Sequence, residues 1–203
     1  MKFLLSIALL LSSFLCTAQI SSKGDFEVTP VIGYSQSFFI HSLYFGGSSV
    51  NNVQLGVYGT YYLSDDWSLQ SGLLYQNMGV KAFKFDIFEY NYSEKTSYFT
   101  LPVMIQRHFG NHNQWHINYG ASVGFLTSAK SDYHDGNGFI DIKNIARPVQ
   151  LGLNSGIGYR FAVSPTMAIL IENANMIALT KTSDETSGNN IYISFNIGAV
   201  FKL

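Results

Sequence analysis

Charge is scarce in this sequence. Charged residues make up 12% of it and apolar residues 47%. Soluble domains carry about 25% charge, so something other than a charged surface must hold this chain in place. The formal net charge is -1. With no basic run, the sequence offers no electrostatic footprint for nucleic acid or another polyanion. Cysteine is nearly absent: the single one is Cys16. Helical periodicity is missing, and beyond the N-terminus no apolar run is long enough for a membrane-spanning helix. If the chain enters a membrane, it does so as strands.

What is present begins with a signal peptide. Lys2 supplies the positive start, Phe3 to Leu15 is a run of apolar residues and serines, and Cys16-Thr17-Ala18 is a small-residue cleavage site. The run falls short of the ~20 residues a spanning helix needs. Cleavage after Ala18 leaves residues 19–203 as the mature domain and removes the only thiol. Disulfides, thiolate metal sites and cysteine nucleophiles are then excluded. A lipid-bearing Cys16 is disfavoured, because Phe14 and Leu15 are too bulky for the positions before such a cysteine.

The mature chain alternates with period two, again and again. At the C-terminus one face reads Ile191, Ile193, Phe195, Ile197, Ala199, Phe201, Leu203, and the other Tyr192, Ser194, Asn196, Gly198, Val200, Lys202. Val149 to Phe161 and Trp115 to Thr127 repeat the pattern. Eight strands are predicted over 26–36, 51–63, 67–80, 97–109, 114–127, 147–161, 166–178 and 190–203. Each reaches the ~9–11 residues that cross a bilayer at a tilt. The connections alternate long and short. Ser64–Asp66, Gly110–Asn113 and Ala162–Pro165 are short; Ser37–Val50, Lys81–Thr96, Ser128–Ala146 and Leu179–Asn189 are long. Short periplasmic turns and long outer loops are the pattern of an all-β, eight-stranded antiparallel up-and-down transmembrane β-barrel, with both termini periplasmic.

Aromatic placement agrees. Tyr61, Tyr62 and Trp67 flank the first short turn, and Phe109 and Trp115 the second. Tyr159 and Phe161 precede the third, and Phe201 lies at the same level. Tyr61, Trp67, Phe109, Trp115, Tyr159, Phe161 and Phe201 are therefore expected to form an interfacial girdle. Only six of the 25 charged residues fall in these strands: Glu27, Arg107, Arg147, Arg160, Glu172 and Lys202. The other face is glycine-rich and polar, which suits a narrow lumen that side chains fill. Gln70, His116, Asn118, Gln150, Asn154, Arg160, Glu172 and Asn196 are expected inside. Glu172 needs a partner there, Arg160 or a lumen amide. The opposite arrangement is a soluble periplasmic barrel with the apolar face turned inward around a ligand.

Two residues strain this register. Arg107 falls on the apolar face near a strand end, where it is expected to snorkel to the headgroups. Pro102 sits mid-strand and cannot donate to the ladder, so a bulge or a missing bond is expected.

Several stretches resemble a known group. Leu63-Ser64-Asp65-Asp66-Trp67-Ser68-Leu69-Gln70-Ser71-Gly72-Leu73-Leu74-Tyr75 has the turn and "LSLQ…LLY" strand, and Leu101-Pro102-Val103-Met104 the "IPLL" strand. Tyr119 to Lys130 has "G.Y.GFL.SAK", and Gly156 to Phe161 "GLGYRF". The mature chain thus resembles the outer-membrane β-barrel domain family common in Bacteroidetes, which includes the PorT-like proteins. The resemblance implies an outer-membrane barrel and makes Pro102 a family feature. It departs at Ala174, where an inward arginine is usual, and at Leu203, where an aromatic is usual. The family shares no single function, and some members resemble secretion-system parts.

Candidates for chemistry are few. Asp132 and His134 have the spacing of an oriented general base, but Asp86, Glu89 and Glu94 do not complete a rim site. His108, His112 and His116 surround the second short turn; His108 and His116 are placed to pair inward, with no carboxylate expected nearby. No catalytic signature, metal set or cofactor is expected, and the chain is not read as an enzyme. Phe83, Phe85, Phe88, Tyr90 and Tyr92 alternate in the second long loop, which is expected to extend as a hairpin that either offers an edge to another envelope or surface protein or packs onto its neighbours. The expected role is structural or interactive: surface binding, envelope integrity or a part in a secretion machine. The expected partners are outer-membrane lipid and a protein at the long loops, with the barrel itself a monomer. A rim-site enzyme acting on lipid or peptide is the alternative; a narrow pore is disfavoured by the strand number.

Overall fold

A computed structural model describes residues 21–41, 44–85, 88–132, 136–183 and 188–203, with side chains at all of these except 41, 44–47, 82–85 and 88–92. The segment 1–18, expected to be a signal peptide, lies outside the described residues.

Nine strands follow one another: β1 Phe26–His41, β2 Tyr44–Tyr62, β3 Trp67–Phe85, β4 Phe88–Phe109, β5 Trp115–Asp132, β6 Ile140–Asp141, β7 Val149–Ser164, β8 Met167–Lys181 and β9 Gly188–Lys202. Each long strand pairs antiparallel with its sequence neighbours, β5 pairs with β7, and β9 pairs back onto β1. The result is a closed eight-stranded barrel. The two-residue β6 adds only to the upper end of β5, opposite Lys130 and Ser131. Closure leaves the wall without a free edge, which is the condition for crossing a bilayer with strands.

The ladder register fixes the slant. Gln36 lies opposite Ile193, and the row continues through Asn175, Ser155, Tyr119, Ile105, Leu69 and Tyr61. It re-enters β1 at Phe26, ten residues below its start. A stagger of ten residues at ~3.3 Å each, over eight steps of ~4.8 Å, gives a tilt of roughly 40°.

The alternation read in the sequence is the in/out alternation of the wall. On β4, Phe99, Leu101, Val103, Ile105 and Phe109 face outward, while Tyr98, Thr100, Met104, Gln106 and His108 are buried inside. Isoleucine 197, 59% exposed, and Asn196, 1% exposed, show the same contrast on β9. From Phe99 to Phe109 the apolar band rises about 25 Å along the axis, the height of an outer-membrane hydrocarbon layer. The polar face is the inner one, so the inverted soluble arrangement does not hold.

The strands run further than the alternation predicts, and almost always at the long-loop end. The β3–β4 ladder continues from Val80 opposite Glu94 to Phe85 opposite Phe88. In this extension the alternating Phe83, Phe85, Phe88, Tyr90 and Tyr92 mark the pairing in the sequence, and the backbones are paired. The second long loop is a hairpin. At Pro102 the ladder to β3 loses its rungs between Ser71–Val103 and Leu74–Thr100 without any shift of register. Ser71 Oγ instead donates to Pro102 O at 2.8 Å. The missing bond is found; the bulge is not.

Candidate functional site

A barrel of this size works through its lumen, its outer rim or its lipid face. The lumen is full. Val31, Tyr58, Leu74, Met104, Leu170 and Val200 form one apolar cluster inside it, and Met78, Tyr98, Met176, Ala178 and Tyr192 a second. Between them lies a cavity of about 20 Å³, lined by Gln54, Tyr58, Met104, Met176 and Tyr192 among others. That is the room of a water or two, not of a solute.

The rest of the interior is polar and cross-linked. One row around the barrel reads His108, His116, Gly158, Glu172, Asn196, Gly33, Gln54. Two glycines in this row act as windows. A Cβ at Gly158 would stand 2.3 Å from His116 Cε1, and one at Gly33 would stand 2.0 Å from Asn196 Oδ1. Without those side chains, partners two strands apart meet. His116 Nε2 lies 3.3 Å from Glu172 Oε1 over Gly158. Gln54 Nε2 donates to Asn196 Oδ1 over Gly33. Glu172 also accepts from Asn118 Nδ2 at 2.7 Å and from Asn196 Nδ2 at 3.3 Å. Gln54 Oε1 accepts from Gln76 Nε2 and from the Tyr192 hydroxyl.

Toward the short-turn end, Arg160 Nη1 donates to Glu27 Oε2 at 2.8 Å and to the Tyr62 hydroxyl. Ser21 Oγ donates to Glu27 Oε1 at 2.6 Å. His108 stacks on Tyr62 with 5.0 Å between ring centres and meets Ser68 Oγ through Nε2 at 2.8 Å. Buried charges are tolerated when paired and hydrogen-bonded, and both carboxylates here are.

All eight residues expected in the lumen face it: Gln70, His116, Asn118, Gln150, Asn154, Arg160, Glu172 and Asn196 are buried or half-buried on the inner side. Of the two partners expected for Glu172 the structure gives lumen amides, Asn118 and Asn196, with His116 beside them, while Arg160 pairs with Glu27. Two details differ from expectation. A carboxylate does stand beside His116. Tyr62 is buried in the lumen rather than at the interface, because its neighbour Tyr61 already holds the outward position.

Around the short-turn end the outward aromatics form a near-continuous collar. Tyr61 lies opposite Phe26, Trp115 opposite both Phe109 and Tyr159, and Phe201 opposite Val28. Ring centres are 6.4 Å apart for Phe109–Trp115, 4.7 Å for Trp115–Tyr159 and 4.5 Å for Tyr159–Phe161. Arg107 faces outward with its guanidinium 5.6 Å from the Trp67 ring. A cation over a ring at this height reduces the cost of a charge near lipid.

A family described as outer membrane protein beta-barrel domain matches residues 17–184. This chain belongs to that family. As an outer-membrane β-barrel protein it shares its fold with several solved barrels. OprG of Pseudomonas aeruginosa is 11% identical over 92% of this chain and 99% of its own, with a TM-score of 0.54. Neisserial surface protein A is 15% identical over 88% and 97%, with a TM-score of 0.51. Ail of Yersinia pestis is 16% identical over 89% and 99%, with a TM-score of 0.47. At these identities the likeness is one of fold. No curated protein matches the sequence.

Of the residues considered for catalysis at the rim of this outer-membrane barrel, only some are described. Asp132 ends β5, but His134 and Asp86 lie outside the described residues. Glu94 is buried inside the wall. His112 is exposed in the turn, away from the His108–His116 pair. Among the described residues no group of three histidines and carboxylates could hold a metal ion. Of the hairpin residues Phe83, Phe85, Phe88, Tyr90 and Tyr92, the backbones pair as a ladder, and their side chains lie outside what is described.

Proposed function

We propose that this outer-membrane barrel is an anchor for interaction at the cell surface rather than a channel or an enzyme. The observation that carries the reading is the β3–β4 ribbon. β3 pairs with β2 only as far as Lys81, and β4 pairs with β5 only as far as Ser93. Beyond those residues the two strands hold only each other among the described residues, up to Phe85 and Phe88. A two-stranded ribbon with two free edges above a closed wall is a template for strand addition by a partner. The side chains inside the lumen support the same reading, since Tyr58, Tyr98 and Tyr192 are buried there.

In this proposal residues 1–18 are the cleaved signal peptide, both termini are periplasmic, and the ribbon faces outward. The seven outward aromatics of the collar mark the inner-leaflet interface, and the barrel is a monomer. The motifs around Trp67–Tyr75 and Gly156–Phe161 support a PorT-like member of the family, and so a part in a surface or secretion assembly.

Two measurements test it. Planar bilayers containing the purified chain are expected to show no conductance; steady single-channel steps would favour a pore. A photo-crosslinker at position 84 or 89 in intact cells is expected to give one discrete protein adduct. Failure to form any would remove the interaction reading.

A further inference from the structure

The outward wall just beyond the apolar band carries a row of cations on three neighbouring strands. Lys95 of β4 and Lys130 of β5 are direct cross-strand partners, and both side chains are exposed. Lys81 of β3, also exposed, lies diagonal to Lys95, since Val80 is opposite Glu94. Like charges directly opposite in a ladder are destabilising by themselves. No carboxylate forms an ion pair with any of the three among the described residues. Of the neighbouring acids, Asp141 lies opposite Lys130 and accepts from the Lys143 backbone N–H at 2.8 Å, Glu94 is buried inside, and Asp132 stands one outward position higher.

The height of the row is informative. Lys95 is four residues beyond Phe99, the last apolar outward residue of β4. At the barrel's tilt that is about 10 Å past the band, the level of lipid headgroups. Apolar surface accompanies the charge. Phe139, exposed, holds the Lys95 Nζ 4.4 Å from its ring centre, and Ile140 beside it is exposed as well. Ammonium groups at headgroup height with apolar side chains next to them match one chemistry: a phosphorylated lipid whose acyl chains run down the wall.

We infer that Lys81, Lys95 and Lys130 form a binding surface for the phosphates of an outer-leaflet glycolipid. The inference rests on the proposed orientation only in assigning the leaflet. The surface accounts for the like charges of Lys95 and Lys130 facing one another, since lipid phosphates would supply counter-charge.

Native mass spectrometry of the full chain in detergent tests this, with diphosphoryl lipid A and its dephosphorylated form as probes. The phosphorylated lipid is expected to be retained and the dephosphorylated one lost. Each lysine near an anionic surface supplies about a fivefold preference, so K95Q/K130Q should weaken retention roughly 25-fold, while K95R/K130R keeps it. Equal retention of both lipids, or an unaffected K95Q/K130Q barrel, overturns the inference. Displacement by millimolar inorganic phosphate would assign the row to free phosphate and overturn the lipid. If K95Q/K130Q does not fold, as read by its heat-dependent gel shift, the two lipids and the phosphate competition on the unaltered chain still decide. Detergent has no sides, so a negative result here is separate from any error in orientation.

Discussion

His116 on β5 contacts Glu172 on β8 although the whole of β7 stands between them. Gly158 makes this contact: it is the one residue of β7 in that row, and its hydrogen leaves the space the imidazole occupies. G158A is therefore expected to drive His116 off Glu172 and to destabilise the barrel by about 1–3 kcal/mol, the usual cost of overpacking. Urea unfolding in vesicles measures it. In an H116A background the same substitution should cost much less, and equal costs in both backgrounds would refute the window.

Arg160 and Glu27 form the second buried charge pair. Substituting R160M leaves Glu27, which is fully buried, without its cation. A loss of about 3 kcal/mol or more is expected from stranding one partner. The double variant E27Q/R160M should recover part of it. The comparison is a double-mutant cycle by the same unfolding assay.

The outward face admits a direct test of what surrounds it. Leu153 sits opposite Ala121, which sits opposite Val103, near the middle of the apolar band. L153R is expected to cost about 2–4 kcal/mol when the chain folds into vesicles. A cost near zero would mean that this face meets water.

Ser37 serves the backbone of a strand it does not pair with. Its hydroxyl accepts from Gly79 N–H at 2.9 Å and donates to Gly79 O at 3.1 Å. The β2–β3 ladder is interrupted between Ser49 and Leu55, so no β2 backbone does this work. S37A is expected to cost about 1–3 kcal/mol, the penalty for unpaired buried polar groups. Faster amide exchange at Gly79, with exchange at the short-turn end unchanged, is the local signature.

At the short-turn edge, Asp25 accepts from Lys202 and from the Ser22 backbone N–H. The Lys202 hydrogen bond first, and the Ser22 one second, hold its carboxyl below the usual value of 3.8. A carboxyl lowered on folding stabilises at neutral pH and loses that contribution as pH falls below 3.8 through the lowered value. The pair is partly exposed, so the effect is at most about 1 kcal/mol. K202M should flatten the acid limb of the stability curve and leave stability above pH 5 nearly as it was, apart from the pair's own small term.

The repeated alternation from Ile191 to Leu203 told which side chains face lipid, because a sheet has only two faces and the pattern names them. The inner residues could be placed by the same rule. Their partners could not. Glu172 and Asn118 are 54 positions apart and meet across β7 past Gly156 and Gly158. That contact depends on the register of two ladders at once, and no local window contains both. The upper extension of β3 and β4 was legible from its alternating aromatics between Phe83 and Tyr92, whereas that of β5, Ser128 to Asp132, has no such alternation and was read as loop. Glu27 was overlooked as a partner because it sits at the first turn of the wall, where a charge usually means exposure.

The pairing order has a consequence for how the barrel is made. Seven of the eight wall ladders join strands that are consecutive around the wall and close along the chain. Only β1–β9 joins distant segments, with Glu27 opposite Lys202. The conformational entropy of ring closure is therefore concentrated in one seam rather than spread over many. A row of hairpins can form early and locally, but the wall has two bare edges until the last strand arrives. Assembly machinery that holds β1 and β9 together would act on the slowest step, and a variant weakening Gly198 opposite Val31 would delay closure more than an equal weakening inside any hairpin.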